Sequence, residues 1–254
     1  MTPKFHIFIP ARLGSKRLPN KPLLDICGKT MIERVYDCAI NSSAISTTIV
    51  TGDDLIIEEV QSFGGQVYKS RYDHESGTDR VAEAVELMGF DDDEIILNLQ
   101  GDEPGTPNKI IEQVVKVLSE TPEATISTIC ERIKKIENYL DPNVVKVVRD
   151  ANNFALYFSR SPIPFNRITS KTKQNIDLPA NAARHIGLYG YRVGALTRLA
   201  RKDSCPIENQ EMLEQLKALW YGERIIVSDA ATPSGPGIDT FKDLEKARMY
   251  FASL

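Results

Sequence analysis

The residues best suited to chemistry come early. The apolar run Phe5-His6-Ile7-Phe8-Ile9 stops at Pro10, and Ala11-Arg12-Leu13-Gly14-Ser15-Lys16-Arg17-Leu18-Pro19-Asn20-Lys21 comes next. Small residues let backbone N–H groups close around anionic oxygens. Arg12 and Arg17 can fork onto such oxygens, while Lys16 and Lys21 add point charges. That combination fits a polyphosphate; a solvated basic loop after an edge strand is the plainer alternative. Two aspartates, Asp102 after Asn98-Leu99-Gln100-Gly101 and Asp239 after Gly237-Ile238, each stand just beyond an apolar stretch. Two carboxylates plus phosphate oxygens suit Mg²⁺, which takes few protein ligands and keeps waters. Either aspartate could instead cap the next helix. Asp239 is the readier cap, because Pro104 and Pro107 separate Asp102 from its helix.

Other residues carry weaker signals. Ser76-Gly77-Thr78-Asp79 precedes an apolar helical pattern and reads as a helix N-cap, a place that also attracts anions. Gln100 can both donate and accept, which suits a hydroxyl-rich ligand. His185 sits in a Gly- and Tyr-rich strand, where a lone histidine is more often structural than functional. His6 lies inside the first strand and reads as structural. Glu208, Glu211 and Glu214 recur every three residues, as on a solvated helix face.

These residues need a frame to hold them. Apolar strand-like runs recur at Phe5–Ala11, Thr47–Thr51, Gln66–Ser70 and Glu94–Gln100, with helical spacing between them. Alternation of this kind predicts an α/β fold with a parallel sheet covered on both faces. Ligands on such sheets sit beyond the carboxyl ends of the strands. The ends Pro10-Ala11-Arg12, Thr51-Gly52-Asp53, Ser70-Arg71 and Gln100-Gly101-Asp102 make a suitable edge. From about residue 144 to 192 the pattern changes. Val144–Arg149 and Phe154–Ser159 flank a turn at 150–153, a Lys-rich loop covers 167–178, and Gly187–Tyr191 is another strand. This predicts an antiparallel insertion within one domain of 254 residues. A helix over Gln210–Leu219, a strand at Arg224–Ser228 and a helix from Thr240 to about Phe251 complete the expectation.

Composition excludes several classes. A net charge of −4 argues against a nucleic-acid-binding face. Four scattered cysteines, Cys27, Cys38, Cys130 and Cys205, give neither a zinc pattern nor a disulfide framework, and free thiols in a reducing cytoplasm are expected. The first 20 residues do not read as a signal peptide, and no apolar run is long enough to span a membrane.

Seven blocks, taken in order, resemble the CMP-Kdo synthetases, the cytidylyltransferases that activate 3-deoxy-manno-octulosonate (Kdo). They are Pro10–Leu23, His74–Arg80, Asn98–Pro104, Ala155–Arg160, Arg184–Arg192, Glu208–Leu216 and Gly237–Asp239 with Thr240, Asp243 and Leu244. The resemblance implies a Rossmann-like nucleotidyltransferase fold whose antiparallel insertion serves sugar binding and dimerisation. It implies CMP transfer from CTP to the sugar's anomeric hydroxyl, with Mg²⁺ on Asp102 and Asp239 and catalysis assisted by Arg12 and Lys21. It places the nucleotide on Arg12, Ser15, Arg17, Lys21, Asp53, Ser76, Gly77, Arg80 and Gln100. The sugar falls to Gln100, Arg160, His185, Tyr189 and Glu208, with Arg184 nearby. A cytoplasmic homodimer feeding lipopolysaccharide assembly is the implied setting. An 8-amino Kdo or another ulosonic acid is the alternative acceptor, and a non-catalytic nucleotide-sugar-binding regulator the alternative class.

The chain departs from the family pattern at Gly52, where Thr is usual, at Asn20, where Gly is usual, and at Asn166. Gly52 carries two expectations. It either enlarges the site and shifts acceptor preference toward the 8-amino sugar, or relaxes the backbone before a helix.

Overall fold

The computed structural model describes residues 3–15, 18–74, 76–167, 177–235 and 237–253. Its frame is a nine-stranded sheet among these residues. Along the main path the order is β11 (Ile225–Asp229), β7 (Ile126–Arg132), β10 (Ala183–Arg192), β6 (Ile95–Asn98), β1 (Phe5–Pro10), β4 (Ser46–Thr51) and β5 (Val67–Lys69). The pairs β1–β4, β1–β6, β4–β5 and β7–β11 are parallel. β10 runs antiparallel to both β6 and β7 and is the strand that joins them.

The apolar runs form strands because both faces of the sheet are covered. On β1, Phe5, Ile7 and Ile9 face one core and Phe8 the other, as a period of two requires. The first core is closed by α1 (Met31–Ile40), α2 (Asp54–Ser62) and α4 (Asn108–Glu120). The second is closed by α3 (Gly77–Met88), α6 (Val193–Ala200) and α8 (Gln215–Trp220). A third, smaller cluster matters most for the site. Leu18, Ile26, Met31 and Ile238 pack with Leu244 and Ala247 of α9 (Phe241–Ala252). Burying Ile238 beside Leu18 brings the far end of the chain to the basic loop.

The segment from 144 to 192 holds the expected strands in a different arrangement. β8 (Lys146–Arg149) and β9 (Ala155–Ser159) pair around the turn and lie off the main path. β10, expected in the insertion, sits in the middle of the main sheet. The Lys-rich loop falls largely outside the described residues.

The helix expected over Gln210–Leu219 is two short ones, α7 (Pro206–Glu211) and α8, broken at Met212 with φ 52°. Arg160 explains the break. Its guanidinium donates to the carbonyls of Glu211 (2.7 Å) and Met212 (3.3 Å), groups that a continuous helix would have used itself.

Candidate active site

The basic loop leaves β1 and is fastened before it can wander. Leu13 N donates to Asp53 Oδ2 at 3.0 Å, and Leu18 N donates to Ser15 Oγ at 3.3 Å. Asn20 adopts the left-handed conformation at φ 53°, which asparagine tolerates better than most residues. That turn starts the single 3₁₀ turn Lys21–Leu23 and buries Lys21. Arg12, Gly14, Ser15, Lys21, Asp102 and Asp239 line a cavity of about 360 Å³ with Pro10, Pro22 and Gly101. Arg17 lies outside the described residues.

Lys21 organises the acidic pair. Its Nζ donates to Asp102 Oδ2 at 2.7 Å and to Asp239 Oδ1 at 3.1 Å. Two carboxylates are therefore already arranged around one cation. Among the described residues no group of three or more His, Cys, Asp or Glu gathers as a metal cage. A hard oxygen pair of this kind fits Mg²⁺ completed by phosphates and water. Beside the pair stands Glu103, a residue the sequence did not single out. Burial, then the charges of Asp102 and Asp239, push its carboxyl up to about 8.

The N-cap expectation at α3 holds. Ser76 Oγ accepts from Asp79 N at 3.0 Å. A Cβ on Gly77 would stand 3.1 Å from Pro10 Cγ and 3.8 Å from Gln100 Oε1, so α3 starts hard against the end of β1. Gln100 donates to Asn98 Oδ1 at 3.3 Å. Arg80 is buried and donates to Ser70 Oγ and to the Arg71 carbonyl, fastening the loop before α3 rather than lining the cavity beside Lys21.

From Ser76 and Thr78, on either side of Gly77, a larger cleft of about 1170 Å³ opens between α3, α6 and α7–α8. Ser76, Thr78 and Asp79 line it, with Tyr189, Tyr191, Glu208 and Glu214. Both tyrosines are buried, and burial raises their phenols. Glu214 opens onto the cleft, and the enclosing protein raises its carboxyl. Glu208 also caps α7, accepting from Cys205 N at 3.1 Å. A wall of the cleft is set by Glu83, which accepts from Arg71 N and Nε and contacts His74 Nε2.

Arg160 and His185 do not line this cleft. Arg160, expected to fork onto a carboxylate, donates instead to the carbonyls of Pro142, Glu211 and Met212. Its backbone N donates to Glu211 Oε2, and Ser159 Oγ donates to Oε1 of the same residue. Glu211 is thus a buttress rather than part of a solvated face. His185 packs between Phe158 and Tyr189, with Nε2 2.9 Å from Thr128 Oγ1. Burial pushes its imidazole down to about 3, so it stays neutral at working pH.

Gly52 has a packing cause. A Cβ there would meet Tyr72 Cα at 2.8 Å and the Arg71 carbonyl oxygen at 3.1 Å. The room expected for a larger sugar is filled by the backbone of the loop ahead of α3.

Comparison with known proteins gives the family. A cytidylyltransferase family model matches residues 6–225. A 3-deoxy-manno-octulosonate cytidylyltransferase of Francisella philomiragia is 50% identical over 246 residues, covering 97% of this chain and 98% of that protein. The Coxiella burnetii protein of the same name is 44% identical over 248 residues, covering 98% and 100%. A solved CMP:2-keto-3-deoxy-manno-octonic acid synthetase complexed with CTP has a TM-score of 0.88 at 39% identity, covering 98% of this chain and 99% of that one. A 4-diphosphocytidyl-2C-methyl-D-erythritol synthase shares the fold alone, with a TM-score of 0.63 at 12% identity, covering 99% and 100%. The basic loop against an acidic pair, in a sheet shared end to end with these relatives, has one reading: this chain belongs to the cytidylyltransferase family, among the 3-deoxy-manno-octulosonate cytidylyltransferases.

Proposed function

We propose that the chain transfers CMP from CTP to the anomeric hydroxyl of Kdo, giving CMP-Kdo and pyrophosphate. The observation that carries this reading is a pair of unlike cavities on either side of one helix start: Gly77 lies against Pro10 of the first, and its neighbours Ser76 and Thr78 line the second. One is small, basic and acidic by turns, as a metal-bound triphosphate needs. The other is large and lined by tyrosines and carboxylates, as a polyhydroxylated sugar needs.

The sugar oxygen forms a bond to the α-phosphorus as the bond to the bridging oxygen of pyrophosphate breaks on the far side. Both reactants are anions, so the protein's task is to hold them in line and offset their charge. Arg12, Ser15 and Lys21 take the triphosphate. Asp102 and Asp239 would hold Mg²⁺, which when bound screens the α-phosphate and lowers the pKa of the attacking hydroxyl. Gln100, beside Gly77, is assigned to both substrates, and Tyr189 and Glu208 to the sugar. His185, neutral and packed against Tyr189, supports that wall. Asp53 and Arg80 serve the nucleotide through the loops they fasten.

The setting is a cytoplasmic homodimer supplying lipopolysaccharide assembly, joined around the β8–β9 arm, where Leu156 and Phe165 are exposed. No helix is long and apolar enough to cross a membrane among the described residues. The test is pyrophosphate release from CTP with Kdo, its 8-amino analogue and other ulosonic acids. Absence of release with Kdo at saturating Mg²⁺ would end this reading; release with the 8-amino sugar alone would move it to that acceptor.

A further inference from the structure

The family resemblance puts Arg184 near the sugar, but its surroundings give it another task. It stands on β10 directly across from Glu131 on β7. Its Nε and Nη2 donate to Glu131 Oε2 at 3.0 and 2.7 Å. The other oxygen of Glu131 accepts from the backbone N of Ser234 at 2.7 Å, and Arg184 Nη2 also donates to Ser234 Oγ at 3.0 Å. Ser234, in the β11–α9 loop, is therefore held to the sheet by both members of an ion pair. The donors outweigh burial and hold the Glu131 carboxyl below its usual range, so the anchor is ionised.

The residues just beyond Ser234 show why the anchor matters. A Cβ on Gly235 would stand 1.9 Å from the Gly105 carbonyl oxygen, and one on Gly237 would stand 2.7 Å from Glu103 Oε1. Ile238 N donates to the Asp102 carbonyl at 3.0 Å. The loop is thus laid along the turn that carries Asp102, and its next residue is Asp239. Side-chain bonds fix the loop at one end, at Ser234, and backbone contact with the Asp102 turn fixes it at the other.

We infer that Glu131 and Arg184, through Ser234, form a clamp that sets the position of Asp239 relative to Asp102. Both are positioning residues for the metal-binding pair, and Arg184 is not a sugar contact. The inference rests on the reading that Asp102 and Asp239 hold the metal. Glu131 separates the two roles: both of its oxygens are taken, one by Arg184 and the other by the Ser234 backbone, so it acts on the loop and not on a sugar hydroxyl.

The experiment compares Glu131→Gln, Arg184→Gln, their double variant, Arg184→Lys and Asp239→Asn. Mn²⁺ binding is titrated in the presence of a non-hydrolysable CTP analogue, amide hydrogen exchange is followed over 234–239, and KM is measured for the sugar. Both Gln variants are expected to weaken Mn²⁺ binding by about tenfold, the low end for losing a partner behind a metal ligand. Exchange at Ser234 and Ile238 should quicken, sugar KM should stay within about twofold, and Arg184→Lys should recover part of the loss, with no more than about twofold further change when both are replaced. The clamp is overturned if exchange is unchanged, if the two losses multiply, or if Arg184→Gln raises sugar KM while Glu131→Gln behaves as the parent. Should Arg184→Gln fail to fold, Ser234→Ala removes the hydroxyl bond alone and must still quicken exchange at Ile238. Quickened exchange in Glu131→Gln with unchanged Mn²⁺ binding in Asp239→Asn would leave the clamp and refute the metal reading instead.

Discussion

Removing Lys21 should make the free protein a better binder of divalent metal. With no nucleotide present, the Lys21 ammonium holds Asp102 and Asp239 at 2.7 and 3.1 Å, where a metal ion must compete with it. The lysine side chain is 10% exposed, but its partners are 38% and 53% exposed, so solvent screens both contacts. Partly exposed pairs of this kind are worth about 0.5–1 kcal/mol each, or roughly 1–2 kcal/mol together. At about 1.4 kcal/mol per decade, Lys21→Met should tighten Mn²⁺ binding roughly five- to thirtyfold. Methionine keeps the length and the apolar stem that the site buries. The assay is titration of free Mn²⁺ by electron paramagnetic resonance, without CTP, on the parent, Lys21→Met and Lys21→Met with Asp102→Asn. The double variant should lose the gain. Turnover should move the opposite way, because the triphosphate loses its lysine. Equal or weaker Mn²⁺ binding in the folded Lys21→Met protein would refute the competition.

Asp102→Asn should cost turnover about a hundredfold or more while CTP still binds weakly, the scale of losing a main electrostatic stabiliser; steady-state pyrophosphate release reads it. Gly52→Thr should destabilise rather than re-tune the site, since its Cβ meets backbone at 2.8 Å. Overpacking of this sort costs about 1–3 kcal/mol, visible as a lowered Tm, and a folded variant with parental Tm but altered sugar preference would contradict the packing account. His185 titrates near 3 in the fold against 6.5 in the open chain, so the unfolded state binds more protons between those values. Its share of stability is complete above 6.5 and is lost as pH falls toward 3, and His185→Gln should flatten that acid limb in denaturant melts. Arg160→Ala should lower Tm as well as activity, because three carbonyls lose their donor; a parental Tm with only sugar KM raised would restore it as a sugar contact.

Most strands were legible because each is a short apolar run bounded by turn chemistry, though β7 was not among the expected runs, and the cap at Ser76 was legible because serine and aspartate three residues apart have a local job. The hidden part was long-range. Lys21 meets carboxylates 81 and 218 residues away, and no local pattern carries that information. Arg160 looks like any arginine after a strand. Only the fold reveals that it satisfies carbonyls of a helix that ends some 50 residues on. Glu131 is one charge at a strand end until Arg184 arrives beside it. β10 misled for a physical reason. Its Arg, His and Gly residues blur the apolar signal of a central strand, because a register shift between Ile186 and Gly190 interrupts its pairing with β7. Gly190 is needed there, since a Cβ would stand 2.6 Å from Ser127 Oγ.

The place of β10 also bears on how the molecule is made. A ribosome releases β6 and β7 long before residues 183–192, yet those two strands have no bond to each other without β10. The growing chain therefore carries β6 at the open edge of one part-sheet and β7 with no partner strand, both waiting for a strand that has still to arrive. Contacts this distant in sequence form slowly, and bare edges pair with whatever backbone is near. Completion waits for a late segment to slide between two early ones, while β11, made later still, pairs with the other edge of β7 and leads to the loop that ends in Asp239. The protein thus has no half-built state with a working centre: the last piece of the sheet to be synthesised is also what carries the second carboxylate into place.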